Sequence, residues 1–74
     1  MNQLTETECI EILQELFDIN EPLNSNTDLS VYIKDSIDLG EFLAVLQDKY
    51  GITPHSEDFK NALTLGQVLH IINK

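Results

Sequence analysis

A serine lies between two acidic residues in the stretch IKDSIDLGEF, residues 33–42. Ser36 follows Asp35 directly, and Asp38 comes two residues later. The pattern predicts that a helix begins here, and the unpaired N–H groups and dipole of a helix N-terminus favour an anion. Two interpretations follow. Either Asp35 or Ser36 is simply the helix cap, or the serine hydroxyl carries a covalently attached phosphate group. Spacing alone does not choose between them.

Catalytic and metal chemistry find little support elsewhere in the chain. A nucleophilic serine needs a base and an orienting acid within reach, but His55 is in a polar loop and His70 falls on the outer face of the last helix. The oxygen-rich stretch DINEPLNSNTDL lacks the glycine and the final glutamate of a calcium loop. One cysteine and two histidines have no zinc-ligand spacing. These observations argue against serine hydrolysis and predict that the protein holds no metal.

The composition restricts the partners. The chain has 74 residues, so we expect a single domain over residues 1–74, and a monomer. Thirteen acids against four lysines give a net charge of -9, which opposes binding to nucleic acid and to anionic membranes. The same charge favours partner proteins with basic patches. The single cysteine, Cys9, and the lack of a signal peptide or membrane span predict a cytoplasmic protein.

The hydrophobic pattern predicts an all-α fold, a small four-helix bundle of three longer helices and one short third helix. The first helix runs from about Thr5 to Asp18, with a capping box of Thr5 and Glu8. The second runs from Ser36 to about Tyr50, with Gly51 as its stop. The long loop between them, residues 19–35, has four apolar side chains that we expect to be pinned across the core: Leu23, Leu29, Val31 and Ile33.

The remaining elements are shorter. Ser56 is predicted to cap the third helix, with Phe59 as its core contact. Thr64 and Gln67 fit a second capping box at the start of the last helix. In the second helix we expect a core stripe with Phe42 beside it, and in the last helix a second stripe. These stripes are Leu39, Leu43, Leu46 and Tyr50, and Leu65, Val68, Leu69 and Ile72.

The outer face of the second helix is a candidate docking surface. Helical spacing places Ile37, Glu41, Ala44 and Asp48 opposite the buried stripe, with Gly40 beside them. An apolar contact ringed by acids suits a partner with a basic patch, although an ordinary solvated face with one exposed isoleucine fits the pattern too. Gly40 is costly inside a helix, so it either allows a partner to approach closely or is merely tolerated.

The stretch DSIDLGEFLAVLQDKYGI, residues 35–52, resembles the Asp-Ser-Leu-Asp motif and second helix of acyl carrier proteins. SEDF and ALTLGQVLHII resemble the third helix and the start of the fourth, so the resemblance covers essentially the whole chain. It implies that Ser36 carries 4′-phosphopantetheine, attached from coenzyme A by a phosphopantetheinyl transferase. Asp35 and Asp38 match the acids that flank the modified serine. The protein would not be an enzyme itself. It would hold an acyl group as a thioester and present it to partner enzymes.

The resemblance also implies which surface those enzymes contact. The family's partner-contact positions match Ile37, Glu41, Ala44 and Asp48, the stripe found from helical geometry. The expected partners are acyl-transferring or synthase enzymes with basic docking patches. The chain departs from the family pattern at Gly40 and just before the motif, where Tyr32 and Ile33, followed by Lys34, occupy the positions of the usual Leu-Gly pair. These departures favour a specialised free-standing carrier over one for routine fatty acid synthesis.

Two function classes stay open from the sequence. The first is the carrier, whose cargo is an acyl, polyketide or aminoacyl group. The second is an unmodified helical interaction module, a carrier fold without its prosthetic group, that docks through the outer face of the second helix. Loss of the Ser36 hydroxyl abolishes the first function and leaves the second intact.

Overall fold

Three α-helices and two short 3-10 helices make up the fold in the computed structural model, which describes residues 3–73. The α-helices are α1 (Glu6–Leu16), α2 (Ser36–Tyr50) and α3 (Leu65–Ile72). The first 3-10 helix spans Leu29–Val31 and the second spans Ser56–Phe59. Residues 3–73 contain no strand, only an isolated bridge between Asp28 and Thr64. The predicted mostly helical fold is confirmed, with a 3-10 helix where the short third helix was expected.

Local capping determines where α1 begins and ends. The Thr5 hydroxyl accepts the Glu8 N–H at 3.1 Å, and the Glu8 carboxylate accepts the Thr5 N–H at 3.0 Å, which confirms the predicted capping box. The helix ends at Leu16, before the predicted Asp18. Asp18 adopts a left-handed conformation with φ of 54°, and the next N–H, of Ile19, bonds to the Gln14 carbonyl at 2.9 Å. This reversal terminates the helix.

The bounds of α2 match the prediction, and a glycine stops the helix as expected. Gly51 has φ of 67°, a left-handed conformation that favours glycine, and its N–H bonds to the Gln47 carbonyl at 3.1 Å. The core stripe is rotated from the predicted one. Phe42 and Leu46 are fully buried, whereas the other predicted members are half-buried: Leu39, Leu43 and Tyr50.

The predicted cap of the second 3-10 helix, Ser56, is wrong. The cap position is His55, which makes no side-chain capping hydrogen bond, and Ser56 is already the first residue of the helix. Its backbone bonds are short-range: the Asp58 N–H donates to the His55 carbonyl at 3.0 Å. A single tight turn needs no dedicated cap. Phe59 is buried, as predicted for its core contact.

The long loop is fastened to the start of α3. The Leu29 N–H donates to the Leu63 carbonyl at 2.7 Å, and the Leu65 N–H donates to the Thr27 carbonyl at 3.0 Å. Leu23 and Leu29 are buried, which confirms that the loop crosses the core, but Val31 is 58% exposed, so that part of the prediction is wrong. The first 3-10 helix turns the Val31 side chain outward.

The start of α3 confirms the second capping box. The Thr64 hydroxyl accepts the Gln67 N–H at 3.2 Å, and the Gln67 amide oxygen accepts the Thr64 N–H at 3.0 Å. Three members of the predicted stripe are buried, Leu65, Val68 and Ile72, and Leu69 is half-buried. Together these contacts hold α3 against the loop and the core.

The core draws on every helix and on the loop. Ile12 of α1 belongs to it and is 6% exposed. The residues that are less than a tenth exposed are Leu4, Cys9, Ile12, Leu13, Ile19, Leu23, Leu29, Phe42, Leu46, Ile52, Phe59, Leu65, Val68 and Ile72. No polar or charged residue between residues 3 and 73 is buried. The interior is therefore purely apolar, without a buried catalytic group.

A pair of hydrogen bonds joins the two ends of the described chain. The Leu4 N–H donates to the side-chain oxygen of Asn73 at 2.7 Å, and the side-chain NH₂ group of Asn73 donates to the Leu4 carbonyl at 2.8 Å. These residues are 69 positions apart in the sequence. The pair fixes the segment before α1 to the end of α3.

Candidate functional site

Ser36 is the first residue of α2 and is exposed. The preceding residue, Asp35, is the N-cap: one carboxylate oxygen accepts the N–H groups of Ile37 and Asp38, each at 3.0 Å. This settles the capping role that the sequence left open between Asp35 and Ser36. The Ser36 hydroxyl is not required to cap the helix, so it stands at the N-terminus of α2 as a group that can be modified.

The second acid of the motif also binds backbone. The Asp38 carboxylate accepts the Lys34 N–H at 3.1 Å, across the start of the helix. The Asp35 carboxylate therefore binds the N–H groups of two residues that follow it in the sequence, and the Asp38 carboxylate binds the N–H group of one that precedes it. Together they fix the path of the chain on both sides of Ser36. Their observed contacts assign them a positioning role.

An apolar cavity of about 480 Å³ lies beside the serine, and Ser36 is one of the residues that line it. Its walls come from the loop, α2, the second 3-10 helix and α3. Apolar side chains dominate them, among them Leu29, Leu39, Phe42, Phe59 and Val68. Such a space can hold a small apolar group close to anything attached to Ser36.

The predicted docking surface is open to solvent. The Ile37 side chain is 71% exposed, the largest value among the exposed large hydrophobic residues of the described chain. The other predicted members of the surface are also exposed: Gly40, Glu41, Ala44 and Asp48. A Cβ built at Gly40 would meet no atom within 4 Å, so nothing in the fold itself requires a glycine there.

The described residues form no arrangement suited to serine hydrolysis, metal binding or a reactive thiol. His55 and His70 are both exposed. No group of three histidine, cysteine, aspartate or glutamate side chains within residues 3–73 comes together as a metal site. Burial, with the charge of Glu6 as a smaller cause, raises the pKa of the Cys9 thiol to about 12, so this cysteine is unreactive at neutral pH. None of the helices described is long and apolar enough to cross a membrane.

Sequence reasoning missed the cavity and two residues at it. Lys34 and Lys60 both line the space next to Ser36. Lys34 was noted only as a departure from the family pattern, and Lys60 was not considered. The cavity is a tertiary feature assembled from four elements, so no periodicity or motif along the chain signals it.

Comparisons with known proteins indicate the family of the chain. The family model described as "Phosphopantetheine attachment site" matches residues 10–72. Among solved structures, the chain is similar to one described as "a putative acyl carrier protein" from Mycobacterium tuberculosis, with a TM-score of 0.75 and 22% sequence identity. That match covers 90% of this chain and 92% of the other. A search of curated proteins found no match.

The site is thus an exposed serine at a helix N-terminus, beside an apolar cavity, in a small helical domain. Because the family model covers most of the sequence, the chain belongs to the acyl carrier protein family, whose members bear a phosphopantetheine attachment site. Its cofactor is covalently attached 4′-phosphopantetheine. The protein is a carrier and not an enzyme.

Proposed function

We propose that Ser36 carries the phosphopantetheine arm, and that the protein holds an acyl group on the thiol of that arm and presents it to partner enzymes. The observation that carries the proposal is the position of the Ser36 hydroxyl. It is exposed at the first residue of α2, and the helix is capped by Asp35 instead. A phosphodiester on this oxygen lies at the positive end of the helix dipole, which stabilises its negative charge.

The attachment step transfers a group to the serine oxygen. The Ser36 oxygen loses its proton and forms a new bond to the phosphorus that bears the pantetheine of coenzyme A. The bond between that phosphorus and the bridging oxygen of the pyrophosphate breaks, and 3′,5′-ADP leaves. A phosphopantetheinyl transferase provides the catalysis. Asp35 and Asp38 contribute by holding the backbone on both sides of Ser36.

The cavity beside Ser36 supports an acyl cargo. Ile33, Leu39 and Leu63 line the cavity and keep part of their surface accessible, so a short acyl chain placed against them is partly removed from water. Burial of apolar surface favours this arrangement by roughly 25 cal/mol per Å². A fatty acyl or polyketide intermediate suits such walls, and an aminoacyl group would need its charged amine at the mouth. We favour a specialised carrier in a dedicated pathway.

Partner enzymes are proposed to contact the outer face of α2. Ile37 supplies the apolar contact, and Glu41 and Asp48 supply the negative charge, with the small Gly40 and Ala44 between them. Partners with basic patches are attracted to this face. The net charge of -9 opposes nucleic acid as a partner. We propose a monomer that works in the cytoplasm.

Intact-mass measurement tests the attachment. The protein is incubated with coenzyme A and a broad-specificity phosphopantetheinyl transferase, and we expect a mass gain of one phosphopantetheine group. Ser36→Ala should abolish the gain. Ser56→Ala is the matched control, because Ser56 is also exposed and lines the same cavity, and it should gain the full mass. No gain with several transferases would favour the unmodified interaction module instead.

Charge reversal tests the docking surface. Glu41→Lys together with Asp48→Lys should slow acyl transfer to a partner enzyme at low salt and leave thermal unfolding nearly unchanged, because exposed charges contribute little to stability. The control is Glu15→Lys together with Glu21→Lys, which also reverses two charges, at exposed positions outside α2. Equal transfer rates for the double variant and the wild type would contradict electrostatic docking at α2.

A further inference from the structure

Positive charge is concentrated at the cavity beside Ser36. The chain has four lysines and no other cation apart from histidine, against thirteen acids. Three of the lysines lie within the described residues: Lys34, Lys49 and Lys60. Two of these three, Lys34 and Lys60, line the cavity. A chain that is strongly acidic overall thus places most of its described positive charge around one apolar space.

The two lysines come from different elements. Lys34 precedes α2 by two residues, and its backbone N–H is held by the Asp38 carboxylate at 3.1 Å. Lys60 directly follows the second 3-10 helix, where its N–H donates to the Glu57 carbonyl at 3.2 Å. Both backbones are therefore fixed, and both residues are exposed. A lysine can lay its aliphatic stem along apolar walls and keep its ammonium group in water at the mouth.

Two acids line the same cavity and oppose the positive charge of the lysines. They are Asp35 and Glu57. One oxygen of Asp35 already accepts two backbone N–H groups at the start of α2, and the positive end of the helix dipole offsets part of its charge. Elsewhere on the described surface, acids outnumber lysines severalfold. With two lysines against two acids, the cavity lining should repel an anion less than the rest of the described surface, where one lysine stands against eleven acids.

We infer that Lys34 and Lys60 form an anion-binding rim for a negatively charged group on the attached arm. The inference rests on the proposed attachment at Ser36. The anion has two possible sources with the same chemistry: the phosphodiester of the arm itself, or a carboxylate at the end of a short acyl cargo. Lys34, two residues from Ser36, suits the phosphodiester. Lys60, on a separate element, suits a carboxylate-bearing cargo whose methylene groups contact the apolar walls.

Thermal unfolding of four forms of the protein tests the rim. The forms are the unmodified protein, the phosphopantetheine form, and forms loaded with butyryl or succinyl groups by a transferase that accepts acyl-coenzyme A. The two acyl groups have the same number of carbon atoms and differ by a terminal carboxylate. We expect the succinyl form to melt roughly 2–6 °C above the butyryl form at low salt, the range for one partly exposed ion pair in a small domain.

Lysine variants locate the effect. Lys60→Gln should remove the difference between the succinyl and butyryl forms. Lys34→Gln should reduce the change in melting temperature on attachment of the arm alone. Lys49→Gln is the matched control: it removes the same charge from the exposed last turn of α2, away from the cavity, and should preserve both effects. Amide chemical shifts of the residues that line the cavity provide a second readout.

The outcomes separate the rim from the attachment. If attachment of the arm alone changes the melting temperature, and Lys34→Gln reduces that change, the result supports the phosphodiester as the anion. A succinyl-specific effect that depends on Lys60 supports the cargo. If loading succeeds but neither melting-temperature effect is seen, the rim is overturned and the proposed function is left intact. The same conclusion follows if Lys49→Gln reduces both effects as much as the cavity variants do. Failure to load Ser36, seen as an unchanged intact mass, overturns the proposed function and the rim with it.

Discussion

Replacement of Gly40 by alanine should stabilise the protein by about 1 kcal/mol. Glycine in an exposed helix interior costs roughly this amount relative to alanine. Gly40 is exposed within α2, its φ is not positive, and a Cβ there would meet no atom within 4 Å. The full gain in helix propensity is therefore available without a clash. In a domain of this size, 1 kcal/mol raises the melting temperature by about 4–8 °C.

Gly66→Ala is the matched comparison. Gly66 is also within a helix, α3, but its added Cβ would lie 3.0 Å from the Ser25 carbonyl oxygen. That oxygen also accepts the Gly66 N–H at 2.9 Å, so the loop is tied to this position. We expect little or no stabilisation there, because the crowding offsets the gain in propensity. Thermal unfolding followed by circular dichroism, together with urea titration, measures both variants.

The same Gly40 variant separates stability from docking. If the small residue allows a partner to approach α2 closely, Gly40→Ala should slow acyl transfer severalfold even though the folded state is more stable. Unchanged transfer would show that the glycine is merely tolerated. A decrease in melting temperature would refute the reasoning at its first step, since it would mean that the space around Gly40 is not open.

Three further predictions concern the stability of the fold. Asp35→Ala should lower the free energy of unfolding, measured in urea, by about 1 kcal/mol. Asp35→Asn can still cap the helix and should lose much less stability. Equal losses in the two variants would contradict the capping role. The pKa of Cys9 is raised by burial from 9.0 to about 12, so the thiol ionises first in the unfolded chain. Relative to Cys9→Ala, the wild type should therefore be stabilised below pH 9 and lose up to about 1.4 kcal/mol per pH unit as the pH rises from 9 toward 12; parallel urea profiles of the two proteins would refute this. Asn73→Leu should cost about 1–3 kcal/mol by removing two hydrogen bonds to Leu4, and an unchanged urea midpoint would contradict it.

Features that depend on neighbouring residues were predictable from the sequence. The two capping boxes, at Thr5 and Thr64, and the glycine stop at Gly51 occur where expected. Each requires only residues within about one turn of the helix end. The same holds for the start of α2, although the choice between Asp35 and Ser36 as the cap needed the observed hydrogen bonds.

Features that depend on packing were not predictable in the same way. Helical periodicity put Phe42 beside the core stripe, whereas the bundle buries it completely. Val31 looked like a core residue in an apolar-rich loop, but the first 3-10 helix turns it to solvent. The cavity and its two lysines bring together residues from distant parts of the chain. The roles of Ser36 and the outer face of α2 remain predictions for the experiments above.

The contact between Leu4 and Asn73 has a consequence for how the molecule opens. Terminal segments usually fray independently, but here the Leu4 N–H is hydrogen-bonded to the side chain of Asn73, the residue that follows α3, 69 positions away. Hydrogen exchange at the Leu4 amide should therefore be slow, and should accelerate together with exchange in the last turn of α3 rather than with that of the long loop. The two ends would then behave as a single cooperative unit.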